Sequence, residues 1–162
     1  MNKIVFLVVL VVGIIFIIKM QKNNDKENTK NVVKMASTVN VTPIEHASLI
    51  LDWGGIAIYV DPVGERKMFE NKPAPDIILL TDIHGDHFDI EALKTVVKEK
   101  TIIIAPKAVA DKMPEDVKAK VLVTNNGEMA NQLGFKIEAI PMYNIPESDK
   151  SYHPKGRGNG YV

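Results

Sequence analysis

The sequence predicts a mixed α/β domain in which helices cover one face of a sheet. Short runs of branched apolar residues with polar flanks are typical of buried strands, and Asp76–Leu80 and Thr101–Ala105 are two such runs. The segment between them, Phe88–Lys100, places its apolar residues on one face of a helix. This alternation of strand, helix and strand predicts a mixed sheet with its helices on one side.

The other predicted elements follow from further apolar runs and from the residues that interrupt them. Gly54-Gly55 predicts a hairpin turn, and Asn125-Asn126-Gly127 predicts a second turn. Lys107–Lys112 is predicted to be a short helix that ends at Met113-Pro114. The remaining predicted strands are Val39–Thr42, Ser48–Leu51, Ile56–Val60, Lys120–Val123 and Phe135–Ile140.

Composition excludes several classes of function. The chain of 162 residues is long enough for one ordinary domain. It has 20 basic and 20 acidic residues, and this balance gives no reason to expect a nucleic-acid partner. Cysteine is absent, which excludes disulfides, thiolate zinc sites, cysteine nucleophiles and a lipoprotein signal.

The loop after the Asp76–Leu80 strand holds the most informative residues. Asp82, His84, Asp86 and His87 fall within six positions, in a chain with four histidines. Imidazoles mixed with carboxylates are the ligands that zinc and similar divalent metals favour. A loop between a strand and a helix can direct several side chains to one point, and the helix dipole favours an ionised carboxylate near its start. The loop therefore predicts a metal site.

Two other interpretations of this loop were open. It could be a polar turn, with Asp89 capping the helix that comes after it. It could also be a calcium loop, but counting from Asp82 places His87 where a glycine is required and Leu93 where a bidentate glutamate is required. The calcium interpretation is therefore the poorer one.

The loop resembles the H-x-H-x-D-H signature of the metallo-β-lactamase-fold hydrolases, and in particular their lactonase-like branch. The resemblance covers Val39–Val162. It rests on several motifs in the expected order, namely Pro43–Ser48, Tyr59–Pro62, Thr81–His87, Pro141–Asn144 and His153–Gly156. It implies an αββα sandwich of two similar halves, one or two zinc ions, and hydrolysis of a small ester, lactone or phosphodiester-like substrate by a metal-activated water.

The resemblance also implies roles for three residues of the loop. His84 matches a ligand of the first metal. Asp86 and His87 match the pair that binds the second metal. Asp86 would in addition be the catalytic residue that orients the attacking hydroxide.

The chain departs from the family pattern at two ligand positions. The first histidine of the signature falls on Asp82, so that a carboxylate replaces an imidazole. The next metal histidine of the family falls on Asn144, whose amide oxygen is a weak zinc ligand. His153 lies nine residues later and could replace it, or could be an ordinary loop histidine.

Other polar residues have both a functional and a structural interpretation. Asp61 could orient a metal-binding imidazole, or could form an Asp-Pro turn. His46 could contact substrate or serve as a structural histidine. Lys155 and Arg157 lie in a glycine-rich run that could bind an anionic substrate or could be merely flexible. This run lacks the surroundings of a phosphate-binding loop.

The resemblance predicts further elements after Val162, so the chain is expected to carry the amino-terminal half of the fold and to be inactive alone. A contrasting hypothesis is a membrane-anchored binding module that retained the fold and lost ligands at Asp82 and Asn144. Ligand motifs further along the gene would favour the enzyme.

The amino terminus is predicted to attach the domain to a membrane. Ile4–Ile18 is an apolar run of fifteen residues between Lys3 and Lys19, and as a helix it would span roughly 22 Å of a core of about 30 Å. An uncleaved anchor at 1–20 is the preferred interpretation, and a cleaved signal that yields a secreted domain is the alternative. A polar linker at 21–38 then precedes the domain at 39–162.

The orientation of this segment is open to two interpretations. The five lysines from Lys19 to Lys34 would keep the domain cytoplasmic by the positive-inside rule. Signal-like segments at an extreme amino terminus more often export the domain that is attached to them. The extracytoplasmic side is the prediction.

Overall fold

A six-stranded mixed sheet is the largest element of the fold. The computed structural model describes residues 38–148 and 150–162, so the predicted membrane segment at 4–18 and nearly all of the predicted linker lie outside the described residues. The strands are arranged across the sheet in chain order. They are β1 (Val39–Pro43), β2 (Leu49–Trp53), β3 (Ile56–Val60), β4 (Ile77–Leu79), β5 (Ile102–Ala105) and β6 (Val121–Val123).

The sheet changes direction at β3. The pairs β1–β2 and β2–β3 are antiparallel, whereas β3, β4, β5 and β6 run parallel to one another. Parallel strands are covered on both faces, which explains why β4 and β5 are apolar without interruption. The carboxyl ends of β3 and β4 meet at one edge, and this edge positions the polar loops.

The helices are short and lie in the connections between parallel strands. A 3-10 helix, Arg66–Phe69, precedes β4, and α1 (Ile90–Val96) joins β4 to β5. Two further helices, α2 (Lys107–Ala110) and α3 (Glu115–Lys118), join β5 to β6. The sequence did not predict α3, which begins directly after Pro114.

The helix predicted at Phe88–Lys100 is shorter at both ends, and hydrogen bonds give the reason. The Asp89 carboxylate accepts from the backbone N–H groups of Glu91 and Ala92, which fixes the start of α1. At the other end, the backbone N–H of Lys98 donates to Thr101 Oγ1 at 2.9 Å instead of continuing the helix.

A second, three-stranded antiparallel sheet contains β7 (Met129–Gln132), β8 (Phe135–Met142) and β9 (Gly158–Tyr161). The sequence analysis missed β7, because Asn131 and Gln132 interrupt its apolar pattern. The hairpin from β7 to β8 turns at Leu133 and Gly134, whose φ angles are 50° and 87°. Two consecutive positive φ angles are typical of the turns that join adjacent antiparallel strands.

Alternate residues of the parallel strands supply two cores. On one face, Ile78 and Ile103 pack with Leu93 of α1 and Val109 of α2. On the other face the large sheet packs against the second sheet, through the residues Ile58, Ile77, Leu79, Ile104, Ala130 and Ile137. The described residues are therefore a mixed α/β fold with helices on one face of the large sheet and a second sheet on the other.

None of the helices within 38–148 and 150–162 is long and apolar enough to cross a membrane.

Strand β9 is joined to the end of β4 by buried polar contacts. The backbone N–H of Asn159 donates to the Thr81 carbonyl at 2.9 Å, and the Tyr161 hydroxyl donates to the Leu80 carbonyl at 2.8 Å. Asn159 is fully buried, and its side-chain amide donates to the Thr124 carbonyl after β6 at 2.7 Å. These bonds fix the start of β9 beside the loop after β4.

Replacing Gly158 by Ala should destabilise the fold, because β9 approaches that loop too closely for a side chain. A Cβ atom at this position would lie 2.7 Å from Asp82 Oδ2, 2.7 Å from Met142 Cε and 3.0 Å from the Thr81 carbonyl oxygen. We expect the free energy of unfolding to fall by about 1–3 kcal/mol in urea titrations.

Gly85→Ala is the matched control, since a Cβ at Gly85 meets nothing within 4 Å. Its free energy of unfolding should stay within about 0.5 kcal/mol of the parent. Equal stabilities of the two variants would contradict the close approach at Gly158.

Candidate metal centre

The loop from β4 to α1 is folded back on itself by its own backbone. The carbonyl of His84 accepts from the N–H groups of His87 and Phe88, at 2.9 and 2.7 Å. Just before it, Asp82 Oδ1 accepts from the N–H of Ile83 at 2.6 Å. These contacts hold the loop's ligand-bearing residues at the carboxyl end of β4.

Three of the candidate ligands meet at one point. Asp82, His84 and His153 each offer a ligand atom, and these atoms lie within 4.8 Å of one another. Asp82 is fully buried, and its Oδ1 is 3.5 Å from His84 Nδ1. The rings of His84 and His153 have centroids 4.9 Å apart. One carboxylate with two imidazoles is a donor set that fits a divalent metal such as zinc.

Asn144 supports His153. The side-chain oxygen of Asn144 accepts from the backbone N–H of His153 at 2.9 Å, and the Asn144 N–H donates to the His153 carbonyl at 3.0 Å. This pair of bonds closes the loop between β8 and β9 and brings His153 to the centre. The side-chain oxygen of Asn144 is thus occupied by the backbone N–H of His153, and the ring of His153 is the group that reaches the other candidate ligands.

Beside this group lies a second set of polar residues, centred on His87. The buried carboxylate of Asp61 accepts from Thr81 N–H at 2.8 Å, from Thr81 Oγ1 at 2.5 Å and from His87 Nδ1 at 2.8 Å. Because Nδ1 donates to Asp61, Nε2 is the nitrogen left for a metal, and it lies 3.6 Å from Asp86 Oδ2. The ring of His87 is 6.2 Å from that of His153, so the two sets are adjacent.

The contact between Asp61 and His87 changes the pKa of both groups. The hydrogen bond that His87 donates to Asp61 raises the pKa of His87 above its ordinary value of 6.5, against the smaller effect of burial. Burial raises the pKa of Asp61, and the hydrogen bonds from His87 and Thr81 partly offset this. The fold therefore favours a protonated His87 when no metal is bound.

A cation also reaches the centre. The sequence analysis assigned Arg157 to a run that could bind an anionic substrate, whereas the structure places it against two candidate metal ligands. Arg157 Nη2 lies 3.2 Å from Asp82 Oδ1 and 3.2 Å from His84 Nε2, and it also donates to the Tyr152 carbonyl. The contact with Asp82 joins residues 75 positions apart, which a local pattern cannot reveal. The sequence did contain one indication. An aspartate close to the end of a buried strand is itself expected to be buried, and a buried carboxylate requires a partner for its charge.

His46 lies apart from the ligand group. Its Nε2 is 3.5 Å from Glu45 Oε1, and both residues line a cleft together with Gly85, Asp86 and Asp89. Asp86 is the more exposed member of its pair with His87. A molecule in this cleft would contact His46 and Asp86 together.

A family model described as the beta-lactamase superfamily domain matches residues 40–162. The chain belongs to this superfamily. The match covers the whole of the domain described above, from β1 to β9. The resemblance identified from the sequence motifs is therefore confirmed.

Solved structures agree with this assignment. A protein from Parabacteroides distasonis ATCC 8503, assigned as a metal-dependent hydrolase, is 39% identical with a TM-score of 0.65, over 76% of this chain and 55% of its own. Igni18, a metallo hydrolase from the archaeon Ignicoccus hospitalis, is 18% identical with a TM-score of 0.57, over 78% and 55%. CmlA, a diiron β-hydroxylase from Streptomyces venezuelae, is 18% identical with a TM-score of 0.54, over 77% and 27%.

The two weaker similarities show a shared fold and nothing about chemistry. The chain spans about half the length of the Parabacteroides and Ignicoccus proteins that it matches. No curated protein matches the chain significantly.

Asp61→Asn should lower the pKa of His87 towards 6.5, because it removes the carboxylate that stabilises the imidazolium. In the metal-free parent the raised pKa of His87 contributes stability that is fully present below pH 6.5 and is lost as the pH rises through that raised pKa. We expect both effects in an NMR titration of the histidine ring protons and in melts across pH 5–9.

Asp111→Asn is the control, since Asp111 is exposed and pairs with Lys107 far along the chain from the loop. It should leave the titration of His87 unchanged. An unchanged His87 pKa in Asp61→Asn would show that the contact does not control this histidine.

Proposed function

We propose that this domain belongs to a metal-dependent hydrolase, with zinc as the metal and an ester, lactone or phosphodiester as the substrate. The observation that carries the proposal is the meeting of Asp82, His84 and His153, whose ligand atoms lie within 4.8 Å of one another. Membership of the superfamily supports it, as does the 39% identical protein assigned as a metal-dependent hydrolase.

Some residues of the centre would bind metal, and Asp61 would orient one of them. Asp82, His84 and His153 would hold one metal ion, and Asp86 with His87 would contribute to a second. Asp61 fixes the His87 ring through Nδ1, which keeps Nε2 available. A bound metal of this kind lowers the pKa of a coordinated water to about 7 and polarises a carbonyl or phosphoryl oxygen.

Asp86 is proposed as the catalytic residue. Its side chain is largely exposed in the cleft, and its carboxylate can accept a proton from a water and so orient it towards a substrate. His46, on the same cleft, is proposed to contact the substrate. The chain spans about half the length of its similar structures, so the activity of the whole protein is part of the proposal.

A second candidate function is a non-catalytic binding module. The observation that favours it is Arg157, whose guanidinium contacts both Asp82 and His84. A chain that permanently kept this cation among its ligands would retain the fold without metal chemistry. The two functions differ in whether zinc binds and whether hydrolysis depends on it.

Replacing both His84 and His87 by Ala should abolish zinc binding in calorimetric titrations of the full chain, because one imidazole is lost from each set of ligands. His46→Ala is the matched control, since this imidazole lies outside the ligand group. Unchanged zinc affinity in the double variant would remove the metal assignment.

Turnover separates the two functions. The zinc-loaded chain is assayed against a panel of esters, lactones and phosphodiesters. Hydrolysis that requires zinc and disappears in His84→Ala supports the hydrolase. Absence of zinc binding by the parent chain supports the binding module, in which Arg157 stays against Asp82 and His84.

We further propose that residues 4–18 anchor the protein to a membrane with the domain on the extracytoplasmic side. The apolar run of fifteen residues between Lys3 and Lys19 supports the anchor, and its likeness to an export signal supports the side. Deleting residues 4–18 should move the protein from the membrane fraction to the supernatant on ultracentrifugation. A parent chain that is already in the supernatant, at its full mass, would contradict the anchor.

A further inference from the structure

The guanidinium of Arg157 lies against the ligand group at distances suited to charge-assisted hydrogen bonds. Its Nη2 is 3.2 Å from Asp82 Oδ1 and 3.3 Å from Oδ2, and its Nε is 3.4 Å from Oδ2. The same Nη2 is 3.2 Å from His84 Nε2. Arg157 therefore touches two of the three residues that would bind a metal, at both carboxylate oxygens of Asp82 and at one ring nitrogen of His84.

The charge of Asp82 explains why a cation lies there. The Asp82 side chain is 0% exposed, and an uncompensated carboxylate at that depth is strongly unfavourable. Within the described residues, Arg157 is the cation that the structure pairs with it. In the metal-free protein, Arg157 thus supplies the positive charge that a metal ion would supply.

Arg157 and a metal ion cannot both take this position. The three ligand atoms span at most 4.8 Å, and Nη2 lies within 3.3 Å of both Asp82 oxygens and 3.2 Å from His84 Nε2. A divalent cation in the same space would be repelled by the guanidinium at short range. Metal binding therefore requires Arg157 to move away.

We propose that Arg157 is a built-in competitor for the metal, which holds Asp82 in the metal-free protein and leaves when the metal binds. This inference rests on the proposed metal binding by Asp82, His84 and His153. It adds that Arg157 sets the affinity of this group, since each binding event must first break the Arg157–Asp82 pair.

The surroundings of Arg157 allow this movement. Its side chain is 23% exposed, and its neighbour Tyr152 is 82% exposed, so solvent is within reach of the guanidinium. Gly158, by contrast, is packed against Asp82 and Met142. The backbone of β9 can therefore stay in place while the side chain of Arg157 rotates outward.

The test measures zinc affinity by calorimetry, without any need for turnover. Arg157→Gln should bind zinc about 10- to 100-fold more tightly than the parent, because a charge-assisted contact no longer competes. Adding His153→Ala to Arg157→Gln should remove this gain. Lys155→Gln, which removes a neighbouring exposed cation paired with Glu147, is the matched control and should leave the affinity unchanged.

A measurement on the parent protein tests the movement without a substitution that could impair folding. The Nε–H of Arg157 donates to Asp82, so its NMR signal should be protected from exchange with water without metal and should lose this protection when zinc is added. Zinc binding that depends on His84 but leaves the Arg157 signal unchanged would overturn the inference. So would a folded Arg157→Gln variant with the affinity of the parent.

Failure of the inference differs from failure of the proposed function. If neither the parent nor Arg157→Gln binds zinc, both are overturned. If both bind zinc equally well, the competitor role of Arg157 alone is overturned.

Discussion

The buried carboxylate of Asp82 is the constraint on which the arrangement of the site depends. A charge that is removed from water must be compensated by a partner close by, and β4, the strand before Asp82, is apolar and supplies none. The partner comes from the segment before β9, 75 residues further along the chain. For Arg157 to reach Asp82, β9 must run directly beside the loop, which requires the glycine at Gly158.

A second buried carboxylate, Asp61, is compensated in a different way. It lies at the end of β3, and its oxygens accept bonds from Thr81 and His87 of the neighbouring loop. Its partner is an imidazole whose other nitrogen faces Asp86, so under the proposed function Asp61 would orient a metal ligand. Asp82 has a partner that must move before the carboxylate can bind a metal. The two aspartates, which follow adjacent parallel strands, therefore differ in role: Asp61 holds an imidazole in place, whereas Asp82 is held by a cation.

The sequence predicted the centre of the sheet well, because β4 and β5 are buried on both faces and their residues are apolar without exception. It missed β7, whose polar residues show no pattern of their own and whose position depends on pairing with β8. The helix after the loop was predicted too long. It ends early because the backbone N–H of Lys98 donates to the side chain of Thr101, a residue beyond the helix. The loop ligands were predicted from spacing, whereas the contact of Arg157 with Asp82 depends on the path of β9.

The charges at position 82 and position 157 are best understood together. The resemblance to the family places a neutral imidazole where this chain has Asp82, so the substitution adds one negative charge. Arg157 adds one positive charge at contact distance, and the metal-free centre has the same net charge as a centre with histidine. This balance holds only while Arg157 stays.

A metal that displaced Arg157 would bind an extra carboxylate, and anionic ligands hold a divalent cation more strongly than neutral ones do. An anionic ligand also neutralises more of the ion's charge, so the ion would polarise a bound water less and would be a weaker Lewis acid. Under the proposed function, Arg157 therefore decides when Asp82 is available to a metal, and Asp82 decides how much of its charge the bound ion keeps.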